Sequence, residues 1–141
     1  MAFKVFLDAN VLLDFTLKRK AYPESKRLFE LIVSEQLKGF ITPAIVHIVG
    51  YWLTKAYGAK ESKKLLLSIL SDVQSVDIPH HIVINALLSK INDIEDALQY
   101  YAGLHHNLDY FISEDKLLKK QSNYILPVYT AKEFLKEFDF L

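Results

Sequence analysis

The feature that most constrains this chain is a regular exchange between two hydrophobic periods. Five short apolar or alternating segments, AFKVFL (2–7), GFIT (39–42), VQSVDI (73–78), DYFIS (109–113) and ILPVYT (125–130), are separated by stretches whose apolar residues recur at helical spacing. Strands that alternate with helices in this way are joined by crossovers, and crossovers build a largely parallel sheet with helices on both faces. The expected fold class is therefore α/β, with three α/β/α layers around a short, mostly parallel central sheet of about five strands.

Local punctuation fits that order. After Asn10 the residues Val11, Leu12, Phe15 and Leu17 begin a first helix, and Pro23 opens a second, carried by Leu28, Phe29, Leu31, Ile32 and Leu37 and ending at Gly39. Thr42-Pro43 pairs a cap residue with a first-turn proline, and the helix it starts runs to about Tyr57, closed by Gly58. Further helices are expected over Ala59–Leu70, from Pro79 to about Lys90, from Asp93 to about His106, over the short piece Lys116–Lys120, and after Thr130, where Glu133 stands in capping-box register. The helix 43–57 is apolar all round, so it is either buried or an interface, and it motivates an expected homodimer through it or its neighbours.

Size and composition bound the rest. A chain of 141 residues suits one domain, 1–141. Cysteine is absent, which removes disulfides and thiolate zinc sites. No stretch approaches the roughly 18 apolar residues of a membrane helix, and the amino-terminal apolar run is too short for a signal peptide, so a soluble, cytoplasmic protein is expected. Basic and acidic residues balance at 17 each, and the whole-molecule field therefore selects no partner. Basic clusters at Lys18-Arg19-Lys20, at Lys60, Lys63 and Lys64, and at Lys116, Lys119 and Lys120 could meet phosphates, although solvated helix faces are the favoured explanation.

In parallel α/β sheets ligands sit beyond the carboxyl ends of the strands. Asp8 follows the first strand, with Asn10 two residues on; Asp93, Glu95 and Asp96 fill the first turn of a helix; Ser113 and Asp115 follow the fourth strand. Each has an ordinary structural explanation: Asp8 and Asp115 as helix caps, Asp93 to Asp96 as acids favoured by a helix dipole, Ser113 as a strand exit. What they share is the end of the sheet at which a site is expected. Several carboxylates gathered there repel one another unless a cation joins them. Magnesium or manganese prefers oxygen ligands and supports displacement at phosphorus, so the chemistry indicated is phosphodiester hydrolysis.

The same residues carry a resemblance that covers nearly the whole chain. FLDANVLLD resembles the opening motif of the PIN domain family, DIEDALQYYA its central acidic helix, DYFISEDKLL its T/S-x-D motif, and LPVYTAKEFL its closing strand and helix. That family includes VapC-type toxins and related metal-dependent ribonucleases. The resemblance implies a PIN-like fold and endonucleolytic cleavage of single-stranded RNA with magnesium or manganese. It carries over Asp8, Asp96 and Asp115 as catalytic, metal-binding acids, Asp93 as a further metal-binding acid, and Asn10 and Ser113 as polar groups holding ligands or the attacking water. Asp14 is expected on the surface of the first helix and Glu95 facing away from the metal. An antitoxin protein that occludes the site is the partner the resemblance implies.

One position departs from that pattern. The family commonly has an acid roughly six residues after the Ser/Thr that matches Thr42, and Ile48 stands there. Its neighbour His47 points about 100° away on a helix. Isoleucine supplies no ligand, which motivates an alternative in which the domain binds RNA or a protein without turnover. A phosphotransfer domain is disfavoured: a receiver needs an acidic pair after its first strand, and the dehalogenase motif needs aspartate where Asn10 stands. The doublets His80-His81 and His105-His106 lack metal-ligand spacing. Tyr51-Trp52 and Tyr100-Tyr101 are expected in a core or dimer contact, with base stacking as the other reading.

Overall fold

Val5, Phe6 and Leu7 are fully buried because β1 (Phe3–Leu7) lies at the centre of the sheet, with a strand on either side. The computed structural model describes residues 2–141. From β1 the chain forms α1 (Ala9–Thr16), α2 (Tyr22–Val33), β2 (Leu37–Ile41), α3 (Pro43–Tyr57) and α4 (Ala59–Leu70). It continues through β3 (Val73–Ser75), α5 (His80–Leu87), α6 (Ile94–His105), β4 (Tyr110–Ile112), α7 (Lys116–Gln121), β5 (Val128–Tyr129) and α8 (Ala131–Glu137). The five strands are all parallel in the order β3-β2-β1-β4-β5, and helices flank the sheet. The α/β reading and the strand count both hold.

That order contains the reversal that matters for function. From β1 the chain builds outward through β2 to β3, then crosses to the other side of β1 to form β4 and β5. Neighbouring strands β1 and β4 thus diverge in their onward connections, and the crevice beyond their carboxyl ends is where such sheets bind ligands. The two strands are locked in register, Leu7 opposite Ile112, and the rings of Phe6 and Phe111 stack at 4.7 Å in the core. Burying a large apolar side chain of this kind contributes about 1.5–3 kcal/mol.

Several boundaries differ from the sequence reading, among them that of β5, which is Val128–Tyr129 where a strand over 125–130 is expected. The second helix ends at Val33 and not at Gly39. Its stop is made by Glu35, in the left-handed region at φ 64°, with Glu35 N–H donating to Ile32 O and Gln36 N–H to Leu31 O. Leu37 therefore belongs to β2, and Gly39 lies within that strand because a Cβ there would come within 2.9 Å of Ile32 Cδ1 and 3.2 Å of Val73 Cγ2. The third strand stops at Ser75, short of Ile78, since β3 is an edge strand with β2 alone to pair with.

Helix 43–57 is neither wholly buried nor wholly an outer face. Ile45, Val49 and Leu53 enter the core, while Tyr51, Trp52 and Tyr57 stay about half exposed. No helix among the described residues is long and apolar enough to cross a membrane.

Candidate active site

Asp8 is at once a helix cap and part of a site. Its Oδ1 accepts from the Ala9 N–H at 2.8 Å at the start of α1, and its Oδ2 accepts from Ser113 Oγ at 2.7 Å beyond the end of β4. The residue is buried, and burial pushes its pKa up. The bonds from Ser113 and Ala9 pull the pKa down, and the charges of Asp115 and Asp93 push it up again. Ser113 Oγ also accepts from the Asp115 N–H at 3.1 Å, so one buried hydroxyl ties the β1 loop to the β4 loop.

The other acids arrive the same way. Asp93 caps α6, with Oδ1 accepting from the Asp96 N–H at 2.9 Å. Asp115 caps α7, with Oδ1 accepting from Leu117 and Leu118 at 2.9 and 3.1 Å. Three helix starts therefore deliver their capping carboxylates to one place, and each electropositive helix end offsets part of the crowding. Asp96 lies one turn into α6 and bears the strain. Burial, a hydrogen bond with Asp115, and the charges of Asp8, Asp115 and Asp93 push its pKa up to about 8.

These side chains line one pocket of about 240 Å³. Asp8, Asp93, Glu95, Asp96 and Asp115 supply five carboxyl groups, and no lysine, arginine or histidine lines it. Such a donor set, all oxygen and all acidic, fits a hard divalent cation and no softer metal. The side chains as they stand do not close on a common point, and no group of three histidine, aspartate or glutamate side chains among the described residues is arranged to hold a metal ion. Both Asp8 oxygens are already engaged, one by the Ala9 N–H and one by the Ser113 hydroxyl.

A family model described as a PIN domain matches residues 4–117, which span every residue of this pocket. The chain belongs to the PIN domain family. No curated protein sequence matches it. Among solved structures, VapBC2 from Rickettsia felis, bound to a DNA fragment from its promoter, aligns with a TM-score of 0.68 at 14% identity, covering 91% of this chain and 98% of that one. A toxin-antitoxin complex from Klebsiella pneumoniae gives 0.67 at 19%, over 90% and 97% of the two chains. PAE2754 from Pyrobaculum aerophilum gives 0.66 at 16%, over the full length of both. At these identities the likeness is one of fold.

Within this PIN domain two acids sit differently from expectation. Asp14 is not on the surface of α1 but buried, and its Oδ1 accepts from Arg19 Nε at 3.0 Å. The same guanidinium donates through Nη2 to Asn10 Oδ1 at 3.0 Å. Arginine has only donors, so the Asn10 oxygen is committed to Arg19 and its NH2 is the end left to donate at the pocket. Glu95 does not face away; it lines the pocket, and burial followed by the charges of Asp8 and Asp93 raises its pKa.

Ile48, at the position where the resemblance leads one to expect an acid, lines the PIN domain's pocket, and Trp52 lines it too. The sequence reading placed Trp52 in a core or dimer contact. Its spacing held the missed signal: Trp52 follows Ile48 by four residues, so both project from one face of α3.

Proposed function

We propose that this PIN domain, acting as a single unit over residues 1–141, is a metal-dependent endoribonuclease that hydrolyses phosphodiester bonds of single-stranded RNA with magnesium or manganese. The observation that carries this reading is the lining of the pocket, five carboxyl groups and no cation at the switch point of a parallel sheet. Asp8, Asp96 and Asp115 are the acids that would hold the metal and act in catalysis, with Asp93 a further ligand. When bound, such an ion lowers the pKa of a water and stabilises the oxygens of an in-line displacement.

The chain's own groups prepare the pocket. Ser113 fixes the Asp8 carboxylate by a 2.7 Å bond, and Arg19 turns the Asn10 amide so that its NH2 can donate to a phosphate oxygen. No basic side chain lines the pocket to neutralise the acids in a dication's place. The test is cleavage of single-stranded RNA in magnesium and in manganese. Asp8→Asn and Asp96→Asn should each abolish it, and cleavage that survives both changes refutes the assignment.

Ile48 supports a second reading, a PIN domain that binds RNA or a protein without turning over, because its side chain adds no oxygen to the pocket. That reading expects RNA to be retained without products in excess manganese. Two of the fold's neighbours are toxin-antitoxin assemblies, and the proposal extends to a VapC-like, cytoplasmic toxin with an antitoxin partner and a homodimer through α3 or its neighbours. Co-purification with the product of an adjacent gene and light scattering test these two contacts.

A further inference from the structure

The pocket's lining is of two kinds. Five residues are acidic, whereas Leu13, Ile48 and Trp52 are apolar. Trp52 keeps 48% of its surface exposed, although it projects from the same face of α3 as half-buried Ile48. The indole is nonetheless held in place: the Tyr51 ring meets it edge-on at 5.3 Å, and Lys55 Nζ lies 5.6 Å from the Trp52 ring centroid and 4.8 Å from that of Tyr51.

A flat apolar face at an anionic pocket poses a chemical question. An apolar ligand alone gains nothing from the carboxylates, and a phosphate, which they repel unless the dication of the nuclease reading joins them, gains nothing from the indole. A nucleotide within a strand has both parts, a π-face and, one bond system away, a phosphate. Resting on the nuclease reading above, we propose that Trp52, with Ile48 beside it, is a stacking subsite for one unpaired nucleobase next to the phosphate held at the acids. Lys55 sets a positive charge against the same aromatic pair, where the adjoining backbone phosphate passes.

This arrangement gives the site a reason to prefer single strands. Within a duplex, away from its two ends, both faces of each base are covered by neighbours, so the indole has nothing to stack on. Stacking also tolerates any base, because every base has a π-face. The usual acid at position 48 would put a charge under that base, and isoleucine makes the same place apolar.

Trp52 is the sole tryptophan of the chain, so its emission reports this site alone. The probe is a six-nucleotide, 2′-O-methylated single strand in magnesium, its integrity checked by gel, compared with the same strand carrying one abasic position and with a long duplex. Saturable quenching by the intact strand, weaker quenching by the abasic strand and none by the duplex are expected. By anisotropy of a labelled strand, Trp52→Ala should weaken binding roughly 5- to 150-fold, and Trp52→Phe should restore most of it. Circular dichroism checks that both variants fold.

Emission unmoved by any oligonucleotide, or equal affinity of Trp52→Ala and the native chain, overturns the subsite and leaves this surface to a protein partner. The nuclease reading survives that result if manganese-dependent cleavage is still lost in Asp8→Asn. The converse result, stacking on single strands with no cleavage in any metal, upholds the subsite and removes the nuclease.

Discussion

Ser113 and Asp8, 105 positions apart in the chain, are joined by a 2.7 Å hydrogen bond between two buried side chains. The bond crosses from the loop after β4 to the loop after β1, so it holds the crevice at a fixed width. It is also the strongest influence drawing the Asp8 pKa down against burial. Ser113→Ala leaves a buried carboxyl oxygen without its donor, and a loss of about 1–3 kcal/mol is expected. The Asp8 pKa is already raised in the fold and would rise further. A raised carboxyl binds its proton more tightly folded than unfolded, so its cost to stability grows as pH climbs above the unfolded value. Urea unfolding at pH 5 and pH 8 should show the larger loss at pH 8, and equal losses would count against this role for Ser113.

Asp96 gives the clearest pH dependence. Its pKa is pushed up to about 8 in the fold from an ordinary 3.8, first by burial and then by Asp115 and the other acids. The folded state therefore binds more protons across that window, and stability must fall as pH rises from about 4 to about 8. Asp96→Asn removes the titration. Thermal unfolding without added metal should show the variant nearly level with the native chain at pH 4. It should be more stable at pH 8, by about 1 kcal/mol once solvent screening of a half-exposed group is counted. Manganese should close that gap by stabilising the native chain at pH 8, and a gap independent of pH would argue that Asp96 carries no extra proton.

Arg19 acts through two partners at once. Its Nε meets Asp14 and its Nη2 meets Asn10, a fork that lysine cannot reproduce. Arg19→Ala strands a buried aspartate without its cation and frees the Asn10 amide to rotate. Destabilisation of about 1–3 kcal/mol is expected. Arg19→Lys should recover much of the stability, since it returns charge to Asp14, but not the RNA cleavage rate, since it leaves Asn10 unheld. Parallel recovery of both would show that Arg19 serves Asp14 alone.

How much of this was legible beforehand follows from the range of each interaction. Strands buried on both faces write themselves as short apolar runs, so five strands in a parallel sheet were visible, though not their order in it, and with them the gathering of Asp8, Asp96 and Asp115 at one end. Caps are also local: Thr130 and Glu133 form their capping box as the register implies. Gly39 misled because glycine marks both helix ends and close packing, and only the third dimension shows Ile32 and Val73 against it. Asp14 misled for a similar reason. Its burial depends on Arg19 folding back through a turn in which Lys18 takes a left-handed φ of 52°, which no periodicity announces. Glu95 and Trp52 depend on how α6 and α3 are rotated against the pocket, which the sequence pattern leaves open by a fraction of a turn.

Ile48→Glu tests the departure from the family pattern directly. Ile48 is half-buried on the pocket wall, so the substitution adds a sixth carboxyl group to the five already there. Without metal the variant should lose about 1–3 kcal/mol, from lost packing and added repulsion. With manganese the order should reverse, because a further oxygen ligand tightens binding, and each tenfold gain in affinity returns about 1.4 kcal/mol at saturating metal. The measurement is the rise in melting temperature on manganese titration, expected to be larger in Ile48→Glu than in the native chain. If cleavage also appears only in the variant, the native domain binds RNA without cutting it. If the native chain cuts and the variant cuts no faster, the acids already present suffice. An unchanged manganese response would mean that position 48 does not reach the metal.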